Sequence, residues 1–158
     1  MKSYLTFLLI IFFGINSFCQ SKLSKQADSK FLTEEYEQAL SLYQKALGEL
    51  ENEFYKGTIH FQIAESIRLQ GDSISTYHYK QSIIHLKSEY ANLSKNRQLD
   101  LDGKQKILIM KKNGLCHFRL DQFDMARMWF EKYTKSVPND SEVETIMTRI
   151  RLSMEEEK

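Results

Sequence analysis

Two stretches of this chain carry the same apolar rhythm, and that rhythm limits what the chain can fold into. In Asn113–Asp140, NGLCHFRLDQFDMARMWFEKYTKSVPND, the residues Phe123, Ala126, Phe130 and Tyr133 recur at steps of three, four and three. Tyr36, Ala39, Tyr43 and Ala46 repeat those steps in EEYEQALSLYQKAL. This spacing puts each set on one face of an α-helix. A shorter apolar segment precedes each set and holds a small residue, Gly114 or Ala27, which lets two helix backbones approach. Asp121-Gln122 read as the turn between the two helices of the later unit, and Pro138 as its end. In the earlier unit Thr33 is placed to cap the second helix, and Glu34 and Glu35 suit the positive end of its dipole.

A helix–turn–helix unit with these small and aromatic positions resembles a tetratricopeptide repeat, whose period is about 34 residues. The resemblance implies an all-α chain of helical hairpin repeats in a short right-handed superhelix. It divides the chain into repeats at about 20–53, 57–90 and 107–140 within a domain spanning 20–158. The middle unit departs most from the pattern. Ile63, Ala64 and Ile67 fit a first helix, and Gly71-Asp72 fit the turn. In the second helix Thr76 stands where Ala is usual, Lys80 where an aromatic is usual, and Ser73 where Tyr or Phe is usual. A helix there is expected to pack with a rotated face. Ala39 to Thr76 is 37 residues and Thr76 to Ala126 is 50, so an insertion is expected at about 87–106. Asn92, Ser94, Asn96, Asp100, Asp102 and Gly103 favour a loop, in part replaceable by longer flanking helices. Ser141 with Glu144 three residues on reads as a capping box opening a terminal helix over 141–154. Such a helix covers the open end of a repeat array.

The N-terminus reads as an address. Lys2 precedes an apolar run from Tyr4 to Phe13, Gly14 and Asn16 break it, and Ser17 and Cys19 are small residues suited to a cut at Cys19–Gln20. Residues 1–19 are thus expected to be a signal peptide of a chain exported across the inner membrane of a bacterium, to be periplasmic or secreted. The apolar run is shorter than the roughly 20 residues a spanning helix needs. Membrane attachment is expected only if this segment is retained or Cys19 is lipidated. Lipoprotein signals want a small residue before the cysteine, and here it is Phe18.

No catalytic centre is legible. The chain has no G-x-x-x-x-G-K-[ST], H-E-x-x-H, C-x-x-C or G-x-S-x-G. No catalytic residue, metal site or cofactor is therefore expected. His78 and His85 stand seven apart, whereas metal pairs on a helix usually stand three or four apart. Cys116 reads as a small buried hydrophobe, and Trp129 as packing between repeats. With Lys2 removed, 21 basic residues balance 21 acidic ones, which gives no electrostatic footprint for nucleic acid.

The expected function is a non-catalytic module that binds a protein or peptide. In tetratricopeptide proteins the first helices line a concave groove. By helical position the groove-facing candidates here are Asp28 and Phe31, then Phe61, Glu65 and Arg68, then Lys111, Leu115, Phe118 and Arg119, with Lys112 beside them. Arg68, Lys111 and Arg119 would offer a cationic path beside Leu115 and Phe118, suited to an acidic peptide with an apolar anchor. Lys111 is followed one turn later by Leu115 rather than Asn, so the carboxylate clamp of some family members is not reproduced. Two other readings fit size and export: an immunity-type inhibitor of one toxin or enzyme, and a structural subunit of an envelope assembly.

Overall fold

A computed structural model describes residues 22–50, 55–71, 75–95 and 100–156. The described residues form helices only: α1 (Lys22–Leu32), α2 (Tyr36–Glu49), α3 (Lys56–Leu69), α4 (Thr76–Lys95), α5 (Asp100–Arg119), α6 (Phe123–Thr134) and α7 (Ser141–Glu156). Each packs on its neighbours in the chain, and α3 also touches α5. The fold is thus all-α, a stack of helical hairpins closed by α7. The expected signal segment, residues 1–19, lies outside the described residues.

The hairpins share one internal geometry. Glu34, Gly71 and Asp121 occupy the left-handed region with φ of 60°, 85° and 55°. Each follows the last turn of a first helix, and each lies seven residues after a small buried residue: Ala27, Ala64 or Gly114. In the first and third hairpins the turn closes identically. The Glu35 amide donates to the Lys30 carbonyl, and the Gln122 amide to the His117 carbonyl, both at 2.9 Å. The Glu34 and Asp121 amides donate to Phe31 and Phe118, both at 3.1 Å. These paired bonds are a Schellman closure, which usually places glycine at the left-handed position. Glu34 lacks glycine's freedom there, so Glu34→Gly should stabilise the fold by about 1 kcal/mol. Thermal unfolding should register this as a rise of roughly 2–5 °C.

Thr33 closes α1 instead of capping α2. Its hydroxyl lies within hydrogen-bond reach of the Ser29 and Lys30 carbonyls and of Glu35 Oε1, while Glu35 occupies the cap position of α2 without a side-chain cap bond. The terminal helix is likewise capped one residue earlier than expected. Asp140 Oδ1 accepts from the Glu142 and Val143 amides at 3.1 and 3.2 Å, and Ser141 is the first helical residue.

The second helix of the middle hairpin is where sequence register and structure part. Residues 39, 43 and 46 are buried in α2, and 126, 130 and 133 in α6. Their counterparts in α4 are Tyr79, Ile83 and Leu86, all buried, whereas Thr76, Tyr77 and Lys80 are exposed. The register is displaced by three residues because α2 and α6 begin two residues after their left-handed residue and α4 begins five after Gly71. Tyr79, not Thr76, stands in the usual alanine position.

The stretch 87–106 is mostly helix. α4 continues through Lys95 and α5 begins at Asp100, each being 20 residues long. Leu86 and Leu93 bury against Ile109, and Tyr90 meets Trp129 edge-on at 5.4 Å. An apolar stripe at helical spacing outweighs the turn-forming residues around it. Trp129 packs between hairpins as expected, 4% exposed.

Beside the Leu86–Leu93–Ile109 cluster the described residues form two larger apolar cores, and α3 serves both. Ile59 and Ile63 face the core with Ala27, Phe31, Ala39, Tyr43 and Ala46. Phe61 and Ala64 face a larger core containing Tyr79, Ile83, Cys116, Ala126, Phe130 and Val143. A helix enclosed this way is apolar around most of its surface, and Ile59–Ser66 is buried without a break. Lys111, Lys112, Asn113 and His117 lie in the corresponding unbroken buried stretch of α5, Ile109–His117.

Candidate functional site

The inner hairpins bring α3 and α5 together, and the expected groove residues divide along that seam. Phe61 and Leu115 are core residues, 7% and 6% exposed. Their side chains are held between helices and present little area to a ligand. Phe31 is buried against Tyr36, with ring centroids 5.3 Å apart, and Asp28 accepts the Tyr43 hydroxyl at 2.6 Å.

Lys111 lies in the interior with its side chain 1% exposed. Its ammonium meets Asp140 at 2.7 Å and Glu142 at 2.8 Å. Asp140 also accepts the Tyr133 hydroxyl at 2.7 Å. Burial alone would raise the Asp140 pKa, but hydrogen bonds from Lys111 and Tyr133 outweigh it and hold the carboxyl below its ordinary range. One lysine therefore ties α5 to the cap of α7. Lys112 is buried too, and its ammonium donates to Thr58 Oγ1 at 3.0 Å. Burial lowers its pKa against the pull of Glu89 and Asp28.

The groups left at the surface of the seam are Arg68, Phe118 and Arg119. The two arginines share Glu65. Arg68 Nη2 meets Glu65 at 2.7 Å, and Arg119 Nε at 3.3 Å. Tyr79 donates its hydroxyl to the same carboxylate. Burial raises the Glu65 pKa, yet the Arg68 hydrogen bond and the Arg119 charge prevail, so the carboxyl titrates below its ordinary range. Glu65 thus holds α3, α4 and α5 at one point. The Arg119 guanidinium lies 5.7 Å from the centre of the Phe118 ring, which is half-buried against the larger core. The arginine side chains are 30% and 23% exposed. The cationic path is therefore a guanidinium pair already neutralised in part from within, with the Lys111 ammonium engaged by Asp140 and Glu142 instead.

The described residues hold no group of three metal-ligating side chains arranged around one point. Cys116 is fully buried, and burial pushes its thiol up to about 12, far from a reactive range. Sequence reasoning missed a convergence of histidines. His60 on α3 meets His78 and His85 on α4, with His60 Nδ1 and His78 Nδ1 2.9 Å apart. The seven-residue spacing of His78 and His85 had placed two of them on one face. The third belongs to the facing helix, which no local spacing reveals.

Among curated proteins the chain is similar to human peptidyl-prolyl cis-trans isomerase FKBP4, 28% identical over 147 residues. The match covers 88% of this chain and 30% of that protein, so the chain spans under a third of its relative's length. No family model matches the chain, and no solved structure matches it. Among the described residues the chain is thus an all-α stack of helical hairpins in which α3 and α5 meet along a polar, guanidinium-bearing seam.

Proposed function

We propose that the chain is an exported, non-catalytic interaction module of the tetratricopeptide type that holds a peptide or protein along the α3–α5 seam. The observation carrying this reading is the threefold hairpin register: small residues at Ala27, Ala64 and Gly114, each seven before a left-handed turn residue. Three independent parts of the chain thus share one packing solution, and stacked hairpins of this kind present extended surfaces to partners. The similarity to part of FKBP4 is compatible with a shared module. The isomerase activity named for that relative is not assigned to this chain. The chain matches a minority of the relative, and the described titratable groups of the seam are engaged in holding helices together.

At the seam the ligand chemistry is a carboxylate beside an apolar side chain. A partner carboxylate would share the arginines with Glu65, while Phe118 supplies apolar contact. Rim arginines of this exposure set specificity and encounter rate more than bulk affinity. The test is affinity capture from native envelope with the tagged protein, beside a Phe118→Ala/Arg119→Ala variant and a Tyr77→Ser/Ile84→Ser variant on the outer face of α4. Loss of the captured partner in the first variant alone is expected. Loss in the second alone would move the binding face to α4. Failure to enrich any partner over an unrelated helical protein would overturn the module reading. Export has its own measurement: the mature protein from fractionated cells should begin at Gln20.

A further inference from the structure

Three of the four histidines meet across one helix pair. His60 is 6% exposed on α3, and its ring lies 5.2 Å from that of His78 and 5.7 Å from that of His85, the latter nearly parallel at 6°. Tyr77 completes the group, edge-on to His60 at 6.3 Å and to His78 at 5.0 Å. Two Nδ1 atoms 2.9 Å apart make a hydrogen bond only if one carries a proton and the other does not. Two imidazolium ions cannot keep that contact. Among the described residues the charges acting on His60 are cationic or become so: His78 and His85 from α4, and Lys56 from its own helix.

We propose that His60, His78 and His85 form a proton-operated latch, closing the α3–α4 hairpin while the imidazoles are neutral and loosening it when they are protonated. Burial, then the neighbouring imidazoles and Lys56, push His60 down to about 4 from 6.5, and burial lowers His78. A base whose folded pKa lies below its unfolded one binds more protons when unfolded. The latch therefore contributes fully above about pH 6.5 and is lost as the pH falls towards 4. Two other groups have displaced pKa values and lie elsewhere. His117 bonds Gln122 at the α5–α6 turn. Glu89 faces Gln105 of α5, and its raised pKa acts in the opposite sense. The latch joins α3 to α4, which begins five residues after Gly71. Loosening there would act on the contacts of Phe61 and Ala64 with Tyr79 and Ile83 in the larger core.

The experiment is imidazole titration by NMR together with hydrogen exchange on the purified protein. His60 and His78 should stay neutral at pH 6. Exchange across Lys56–Leu69 and Thr76–Leu86, corrected for its intrinsic rate, should quicken about tenfold between pH 7 and pH 5. Phe123–Thr134 should change little. His78→Gln keeps a hydrogen-bonding side chain that does not titrate and should remove half or more of the acid response. If that variant fails to fold, the wild-type imidazole titration decides alone. Ordinary titration of His60 and His78 near pH 6.5 would overturn the latch, as would uniform acceleration across every helix. So would protection at neutral pH that requires added Zn2+ or Ni2+, which would make the cluster a metal site instead.

Discussion

Lys111→Glu should leave the C-terminal half of the protein unfolded or melting at least 10 °C lower, measured by circular dichroism and hydrogen exchange across α5–α7. The side chain is 1% exposed, and its ammonium lies between Asp140 and Glu142. Removing one partner of a buried ion pair costs about 3–5 kcal/mol because the other charge stays behind. A glutamate adds a like charge beside Asp140. Total stability is only about 5–15 kcal/mol for a typical domain, so the change consumes much of it. Asp140 magnifies the damage, since it also accepts Tyr133 and caps α7 through the Glu142 and Val143 amides. Lys111→Met should be milder. Adding Asp140→Asn to it should recover part of the loss, because asparagine still caps a helix without leaving a bare charge. Wild-type stability from this contact should be present above Asp140's ordinary range and be lost as the pH falls through its lowered pKa. Intact folding of Lys111→Glu would return Lys111 to the set of ligand-binding candidates. Otherwise that variant reports folding, and the binding test belongs to Phe118 and Arg119.

Local pattern carried the architecture well and the charges poorly, for a physical reason. The three-four-three steps at Tyr36–Ala46 and Phe123–Tyr133 are set within one helix, so periodicity alone identifies both buried faces. The turn after Gly71 has three more residues than its counterparts, and nothing in the composition of α4 says where the helix begins. Sliding the register by three exchanges Thr76 and Lys80 for Tyr79 and Ile83, which turns an apparently degenerate repeat into an ordinary one. The 87–106 stretch misled because Asn92 and Ser94 favour turns only when no apolar stripe competes, and Leu86, Tyr90 and Leu93 compete. In the cationic path Lys111 was misplaced for a different reason. Whether a lysine on a first helix faces solvent or an acidic cap depends on a residue 29 positions away, Asp140. Arg68 and Arg119 likewise share a carboxylate whose place between them is set by helix packing. Long-range pairing of this kind leaves no periodic trace.

Glu65→Ala should destabilise the protein by about 3–5 kcal/mol, and urea unfolding will measure it as a lower midpoint at unchanged slope. The carboxylate is 10% exposed and engages Arg68, Arg119 and Tyr79 on three helices. Truncation leaves two guanidinium groups facing one another and a buried hydroxyl without its acceptor. The cost is therefore a penalty of what remains more than the value of what was removed. That distinction can be measured. Replacing Glu65, Arg68 and Arg119 together by Leu and Met residues of similar bulk should restore most of the loss, because a well-packed apolar cluster avoids desolvating three charges. Partial exposure of the arginines, at 30% and 23%, keeps that recovery from becoming a large gain. If the triple replacement is as unstable as Glu65→Ala, the network fixes helix geometry in a way packing cannot replace. If it is stable yet no longer retains a partner captured by the wild type, the arginines serve recognition and Glu65 holds them in position for it. Acid provides a cross-check on the same carboxylate. Its folded pKa lies below its ordinary range, so its contribution is present above about pH 4.5 and disappears below the lowered value. The histidine latch acts at higher pH, which separates the two transitions on one titration.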